Sequence, residues 1–360
     1  MTMLETRSGA YARPEEPLRV VAIGGGTGLS TLLHGLKPYG HALVRAEAPA
    51  RFASRPPVDI TAVVTVTDDG GSSGRLRRDF AVLPPGDIRN CMLALSEDEA
   101  LLSRLFRYRF ARGRGLKGHS FGNLFLAALA HITGDFPRAV QFSSEVLAIV
   151  GRIYPSTAAN VMLEARLEDG SQAQGETNIS KSRARIQKIA LRPPRCRPLR
   201  ETLEAIASAD LITLGPGSLF TSVIPNLLVD GIPQAIRKSP ALKAYFVNLM
   251  WQPGETSGFS AADHVAAIYR HAGARLLDYV VVNTRPIRAG LRRKYAHQKA
   301  LPVENDLVRL AKMGLAVIAR DLAQESDKVR HDPEATAQVV LELARQGRER
   351  RRPRARAAGT

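Results

Sequence analysis

The chain has few cysteines, few aromatic residues and no long apolar run. Its 360 residues include two cysteines, one tryptophan and 6% aromatic residues. Two cysteines, Cys91 and Cys196, are too few for a disulfide framework and fit a reducing compartment. No stretch of 18 consecutive apolar residues is present, and the first 17 residues lack an apolar signal core. We therefore expect a soluble, cytoplasmic protein with no membrane partner.

Acidic residues are also in the minority. The chain has 34 Asp and Glu against 51 Lys and Arg, a formal net charge of +17. Residues 345–360 hold seven arginines and one glutamate, so we predict a disordered basic tail there. The basic body favours phosphate-bearing small molecules. Because no known nucleic-acid-binding motif is present, we do not expect nucleic acid as a partner, and any such role would belong to the tail.

The sequence VVAIGGGTG, residues 20–28, predicts a strand, a glycine turn and a helix that runs to residue 36. Such a turn leaves backbone N–H groups at the positive end of a helix, where a phosphate binds well. The glycines match neither the dinucleotide fingerprint nor the P-loop, so the nucleotide stays undetermined, and a plain tight turn is the alternative. The predicted phosphate-binding residues are Gly24, Gly25, Gly26, Thr27 and Gly28.

A second apolar strand, residues 60–66, is followed by Asp68 and Asp69 and then by glycines with Ser72 and Ser73. In open parallel sheets, ligands bind at the carboxyl ends of the strands. Carboxylates at that position suit hydroxyl recognition or Mg²⁺ coordination, and the alternative is that an aspartate caps a helix.

Two further helix starts carry polar side chains. We expect Asp87 to be the N-cap of a helix over residues 88–95. Arg89, in its first turn, opposes the helix dipole, which leaves open that it faces an anion rather than solvent. Ser120 is predicted to cap a helix over residues 124–132, beside the candidate ligand contacts His119 and Asn123. A structural role is the alternative for His119, and no His or Cys pair has zinc-site spacing.

The strand, glycine turn and helix start recur at residues 210–222, where Gly215, Gly217 and Ser218 are the candidate phosphate contacts. Apolar strands alternating with helices predict an α/β fold with a doubly wound, mostly parallel, Rossmann-like sheet. Alternation around Asp169-Gly170 predicts a small antiparallel excursion. We expect a flexible segment over 1–18 and one nucleotide-binding domain over 19–344, with an added subdomain at 151–198.

Six motifs in order resemble the gluconeogenesis factor family, which is related to 2-phospho-L-lactate transferase. They are IGGGTGLSTLL, TVTDDGGSSGRLRRDF, PPGDIRNCMLALS, GHSFGNLFLAAL, LGPGSLFTSVIPNLL and PGETSGFSAADHV. The resemblance covers residues 19–332. It implies a Rossmann-like core that binds UDP-sugars, notably UDP-N-acetylglucosamine, and supports cell-envelope synthesis and cell shape during gluconeogenic growth. The implied partner is a cytoplasmic enzyme of amino-sugar or envelope synthesis.

The resemblance also implies which residues line the ligand crevice, and it implies no catalytic residue. It adds an aromatic position, commonly tyrosine, which here is Phe259 without the hydroxyl. It adds a basic position for which Arg292 and Arg293 are the candidates. The remaining positions are the glycine turns at 24–28 and 215–218 with Asp68, Asp69, Ser72, Ser73, His119 and Asn123.

Two functions remain open. The first is a UDP-sugar-binding regulator, in which Asp68 or Asp69 would bind ribose or sugar hydroxyls, or a metal such as Mg²⁺. The second is a Mg²⁺-dependent transferase acting on a nucleotide-linked donor, in which Asp68 and Asp69 would hold the metal. A homo-oligomer is compatible with both, and turnover with a bound metal would favour the transferase.

Overall fold

The computed structural model describes residues 16–40, 57–96, 101–182 and 184–351. Seven parallel strands form the main sheet in the order β10-β9-β8-β7-β1-β2-β3. This confirms the predicted doubly wound α/β fold. The strands of this sheet are β1 (Leu18–Gly24), β2 (Val58–Val64), β3 (Arg152–Pro155), β7 (Leu211–Leu214), β8 (Leu242–Phe246), β9 (Tyr279–Asn283) and β10 (Ala316–Arg320).

The central strands are almost wholly apolar because helices cover both faces of the sheet. In the register, Val20 pairs with Ile60 of β2 on one side and with Leu211 of β7 on the other. All three side chains are at most 1% exposed. The chain therefore runs from β1 to its neighbour β2 and only later forms β7 on the other side of β1. This reversal of strand order makes the boundary between β1 and β7 a topological switch point, and ligands bind at such points in open parallel sheets.

Fourteen α-helices accompany the strands in the described part of the chain. Helix α1 packs against α3 and α14, and Gly35 of α1 lies so close to Pro333 that a Cβ would approach its carbonyl oxygen to 1.9 Å. The helices are α1 (Gly26–Leu36), α2 (Gly71–Phe80), α3 (Gly86–Leu95), α4 (Leu101–Arg107), α5 (Phe121–Thr133), α6 (Phe136–Val146), α7 (Glu176–Ser180), α8 (Arg200–Ser208), α9 (Ile224–Leu227), α10 (Ile232–Lys238), α11 (Ala261–Ala272), α12 (Ala289–His297), α13 (Leu307–Lys312) and α14 (Pro333–Arg351).

The predicted tail begins too early, because α14 continues to Arg351. Arg348 and Arg351 form ion pairs with the two carboxylate oxygens of Asp210, at 2.6 and 3.1 Å. Asp210 is 1% exposed, so these arginines neutralise a buried charge instead of lying in solvent. Residues 352–360, like residues 1–15 of the predicted N-terminal segment, lie outside the described residues.

The predicted antiparallel excursion is a three-stranded sheet in the order β5-β4-β6, made of β4 (Met162–Leu167), β5 (Gln172–Gln174) and β6 (Ile186–Arg192). The predicted boundary at 151 is wrong, however, because β3 belongs to the main sheet and pairs with β2. A four-residue strand is too short for its periodicity to identify it. A second small sheet pairs β11 (Ala323–Glu325) with β12 (Val329–His331).

Across the described residues, no single helix has the length and apolar composition needed to cross a bilayer. One pair of short helical segments, Leu219–Leu227 and Ile232–Lys238, has the composition only when both are taken together, and it is bent by 75°.

Candidate functional site

The two glycine turns meet at the switch point. A Cβ on Gly28 would lie 2.5 Å from the carbonyl oxygen of Pro216, and one on Gly217 would lie 3.2 Å from that of Gly25. The φ of Gly217 is +155°, which a residue with a side chain rarely adopts. Glycine is therefore required at these positions by the close approach of the two loops.

A cavity of 280 Å³, which we call the glycine cavity, opens where the loops meet. Six of the predicted phosphate-binding residues line it: Gly25, Gly26, Thr27, Gly28, Gly217 and Ser218. The other two predicted glycines lie at strand ends behind it. The Gly24 carbonyl accepts from the Thr65 amide at 2.9 Å, and the Gly215 amide donates to the Ile23 carbonyl at 2.9 Å.

The loop after β8 and two distant segments complete the cavity wall. Gln252 donates to the Ser218 hydroxyl at 2.6 Å, and Trp251 is fixed by donating to the Phe259 carbonyl at 2.9 Å. Tyr295 of α12 accepts from the Val329 amide at 3.1 Å. The cavity therefore has an aromatic wall as well as a backbone floor, a combination suited to a nucleotide.

Asp87 lies against the first glycine turn. A Cβ on Gly25 would lie 2.6 Å from its Oδ2, and the Gly26 amide donates a hydrogen bond to its carboxylate. Burial, and then the neighbouring charge of Asp68, raise the pKa of Asp87 to about 7. The sequence-based expectation of an N-cap is wrong, because Asp87 lies in the first turn of α3 and Pro85 is the cap residue.

Further carboxyl groups surround Asp87. Asp68 accepts from the Gly70 amide at 2.8 Å, and a Cβ on Gly86 would lie 2.8 Å from its other oxygen. Burial, followed by the charges of Asp87 and Asp68, raises the pKa of Glu176 to about 9. Burial likewise raises the pKa of Glu255, which is 5% exposed and accepts from Ser180 and Thr221.

Asp69 points toward the added subdomain. Its Oδ1 accepts from both the backbone amide and the hydroxyl of Thr177, at 2.9 and 2.7 Å. The helix α7 is therefore capped by an aspartate from a distant loop, which matches the alternative role considered for this pair of aspartates.

The predicted residues of α2 and α5 form a neighbouring polar cluster. The Ser72 hydroxyl and His119 Nδ1 are 3.0 Å apart, and the Gly86 amide donates to Ser73 at 3.1 Å. Burial, reinforced by the charge of Arg75, lowers the pKa of His119 and so favours the neutral imidazole. Asn123 is 2% exposed, and its side-chain oxygen has no partner among the described atoms.

Ser120 caps α5 as predicted, accepting from the Asn123 amide at 3.3 Å. It also accepts from the guanidinium of Arg89. Arg89 thus joins the start of α5 to α3.

Phe259, Arg292 and Arg293 do not line the glycine cavity. Phe259 packs edge-to-face against Phe220 and His264, with ring centroids 6.0 and 5.6 Å apart. Both arginines are exposed on α12, the helix whose Tyr295 reaches the cavity.

The described residues contain no group of three or more His, Cys, Asp or Glu side chains arranged to hold a metal. Of the predicted pair Asp68 and Asp69, Asp69 is already engaged by Thr177 through its Oδ1. Mg²⁺ would need ligand phosphates and water in addition to one carboxylate.

Sequence reasoning missed several wall residues. The segment 248–252 follows β8, and the rule that ligands bind at the carboxyl ends of strands could have indicated it. Tyr295, Arg330 and His331 carry no local signal, because they reach the cavity from α12 and from the β11–β12 hairpin. Glu176 does not line the cavity, and it was missed because α7 brings it from the added subdomain toward Asp87 and Asp68.

Comparison with known proteins adds family relationships to this geometry. A sequence model of the family described as 2-phospho-L-lactate transferase CofD matches residues 20–323. The gluconeogenesis factors of Halalkalibacterium halodurans and Bacillus subtilis are 46% and 45% identical to this chain, covering 90% and 91% of it and 95% and 98% of their own lengths. A crystal structure from Bacillus halodurans, described as a UPF0052 family member, has a TM-score of 0.84 at 45% identity, covering 91% of this chain and 99% of that one.

Proposed function

Because the chain belongs to the gluconeogenesis factor family, related to 2-phospho-L-lactate transferase, we propose that it is a regulatory protein that binds a UDP-sugar. The ligand we propose is UDP-N-acetylglucosamine, and the role is support of cell-envelope synthesis and cell shape during gluconeogenic growth. The partner would be a cytoplasmic enzyme of amino-sugar or envelope synthesis, whose activity changes when the regulator is loaded.

The observation that carries this proposal is the meeting of two glycine turns at the β1/β7 switch point. In the proposed complex, the diphosphate contacts the backbone amides of Thr27, Gly28 and Ser218, which line the glycine cavity. Trp251 and Tyr295 also line the glycine cavity and suit packing against a base or sugar ring.

The test is isothermal titration calorimetry with UDP-N-acetylglucosamine, with and without Mg²⁺, using GDP and NAD as controls. We expect selective binding of the UDP-sugar that does not depend on Mg²⁺. The Gly217→Val variant should lose at least tenfold in affinity, because a branched Cβ enters the space beside the Gly25 carbonyl. Absence of UDP-sugar binding by the unaltered chain would refute the proposal.

A Mg²⁺-dependent transferase is the second candidate, favoured by the carboxylates of Asp68 and Asp87 beside the glycine cavity. A divalent cation would offset their mutual repulsion and, when bound, would supply charge stabilisation to a leaving diphosphate. Binding that requires Mg²⁺ and consumes the nucleotide-linked donor would support this candidate over the regulator.

A further inference from the structure

Helix α12 contributes Tyr295 to the wall of the glycine cavity but is weakly anchored. The stretch 288–299, all of it described, contains no buried residue, although Ile287 before it and Ala300 after it are 8% and 3% exposed. Within this stretch only Leu291 and Tyr295 are half-buried, and they pack on a small apolar cluster. That cluster is separate from the main core and consists of Leu249, Met250, Ile287 and Ala323. The segment is therefore fixed at both ends and held by few contacts in between.

Among the described residues, the hydrogen bonds that attach α12 to other elements lead to the β11–β12 hairpin. The Tyr295 hydroxyl accepts from the Val329 amide at 3.1 Å, and Lys294 donates to the carbonyl oxygen of Asp327 at 2.9 Å. At the start of the helix, the Arg288 amide donates to the Glu325 carboxylate at 3.0 Å. Tyr295 is thus the residue at which α12, the hairpin and the glycine cavity meet.

The sequence of α12 gives this helix little stability of its own. Among the described residues no side chain caps its N-terminus, and its first turn has no acidic residue. Gly290 lies in the first turn, although an added Cβ would meet no described atom within 4 Å, so packing does not require this poor helix former. The preceding helix α11, by contrast, has a complete capping box and six buried residues.

The backbone at the C-terminal end of α12 is strained. Lys299 has a φ of +56°, a left-handed conformation that residues with a side chain rarely adopt. The chain is fixed again directly afterwards, because the Trp251 amide donates to the Leu301 carbonyl at 2.8 Å and the Val303 amide donates to the Leu249 carbonyl at 3.1 Å. Strained positions of this kind recur in switch segments at ligand sites.

We propose that α12 is a lid on the glycine cavity, which opens by local unfolding between Ile287 and Ala300 and refolds over a bound ligand. Opening withdraws Tyr295 from the cavity wall. The hairpin stays in place, because the buried His331 bonds through its Nε2 to the Val247 carbonyl oxygen at 3.2 Å. A ligand that contacts Tyr295 favours the closed form, since it binds that form more tightly. The identity of this ligand rests on the proposed function, whereas the opening of α12 does not.

The test uses two substitutions that change the stability of α12 without altering the cavity. Gly290→Ala strengthens the helix, and Ala296→Gly, at an exposed position, weakens it. Neither residue lines the glycine cavity. The matched control is Ala128→Gly, which makes the same change at an exposed position of α5. Amide hydrogen exchange of the full chain is the measurement.

Without ligand, we expect residues 289–297 to have protection factors at least tenfold lower than those of α11, because local opening exposes them first. Gly290→Ala should raise protection in α12 about fivefold, and Ala296→Gly should lower it by about the same factor. The Val329 amide should follow α12, since its acceptor is the Tyr295 hydroxyl. Ala128→Gly should leave α12 unchanged. Equal protection of α11 and α12, or no response of α12 to either substitution, would overturn the proposal.

A second measurement adds UDP-N-acetylglucosamine, with binding verified by calorimetry. We expect at least tenfold greater protection of residues 289–297 in the complex, and dissociation of the ligand about fivefold faster from Ala296→Gly than from the unaltered chain. Binding without added protection of α12 would show that the helix is no lid. Absence of binding, together with exchange that responds to both α12 substitutions, would refute the proposed function and leave the opening of α12 standing.

Discussion

The carboxylate of Asp87 lies beside the first glycine turn, where the sequence predicts a phosphate-binding site. It accepts a hydrogen bond from the Gly26 amide, at the N-terminus of α1. An incoming anion therefore meets a helix end that already has one acidic group beside it.

The raised pKa of Asp87 predicts a pH dependence of stability. The unfolded carboxyl ionises near its ordinary value of 3.8, while the folded one, facing Asp68, Glu176 and Arg89, keeps its proton to about pH 7. The contribution of Asp87 to the free energy of unfolding is therefore fully present below pH 4, and it is lost as the pH rises to about 7.

We expect Asp87→Asn to remove that loss, so that the variant gains in stability relative to the unaltered chain between pH 5 and pH 7.5. Urea unfolding of both proteins at the two pH values measures this difference in stability. A parallel pH dependence in both proteins would contradict this assignment. Glu176, whose pKa is raised from 4.5 to about 9, adds a further loss of stability that begins near pH 4.5 and continues to about pH 9.

Gly28 provides a test of the loop contact that is independent of any ligand. In Gly28→Ala the new Cβ meets backbone atoms of Pro216 and Gly217 at 2.5 to 2.7 Å, so the loops must separate. We expect a destabilisation of about 1–3 kcal/mol by chemical denaturation. The matched control, Gly290→Ala in α12, has nothing within 4 Å and should be neutral or stabilising by up to about 1 kcal/mol.

Among the elements, the short helix α7 depends on a loop outside its own subdomain. Asp69 accepts two hydrogen bonds from Thr177, and Ser180 donates to Glu255 of the main body at 3.2 Å. On the opposite side of the small sheet, the Ile189 amide donates to His271 Nε2 at 3.1 Å. The added subdomain is therefore attached at both ends, and α7 carries Glu176 into the carboxyl group cluster.

Asp69→Ala should release this attachment. We expect faster amide hydrogen exchange over residues 176–180, because the N-terminal cap is lost, at a cost of about 1–2 kcal/mol. Asp135→Ala, which removes the corresponding cap of α6, is the control for a cap lost elsewhere. Unchanged exchange over 176–180 would show that Asp69 does not hold this helix.

Much of the element pattern could be predicted from sequence because it is local. β1, β2 and β7 are apolar runs that end in glycine turns, and Ser120 is a helix cap as its position indicates. β3 could not be predicted because four residues are too few to show a period. The cavity walls could not be predicted because Trp251, Tyr295 and Arg330 become neighbours only through tertiary contacts between separate elements.

For the whole molecule, α14 is the main correction to the sequence-based expectation. Seven arginines in sixteen residues indicated a solvated tail, but Arg348 and Arg351 have a partner, Asp210, more than 130 residues earlier in the chain. No local pattern reveals a pair that distant. A deletion meant to test nucleic-acid binding by the tail should therefore begin at 352.

Two truncations test the role of α14. A chain ending at residue 344 leaves the buried Asp210 without its arginines and should lose about 3–5 kcal/mol, whereas one ending at residue 351 should unfold like the full chain. Denaturant midpoints compare the two. Equal midpoints would mean that the Asp210 ion pairs contribute nothing to stability.

The contact between α1 and α14 also has a consequence for biosynthesis. Gly35 emerges early and Pro333, against which it packs, is made almost three hundred residues later. At about 5–20 residues per second the ribosome needs roughly 15 to 60 s to bridge that interval. During that time the apolar residues of α1 and β1 that α14 covers are without their partner on the nascent chain, so chaperone binding to this segment should be a regular step in making the protein.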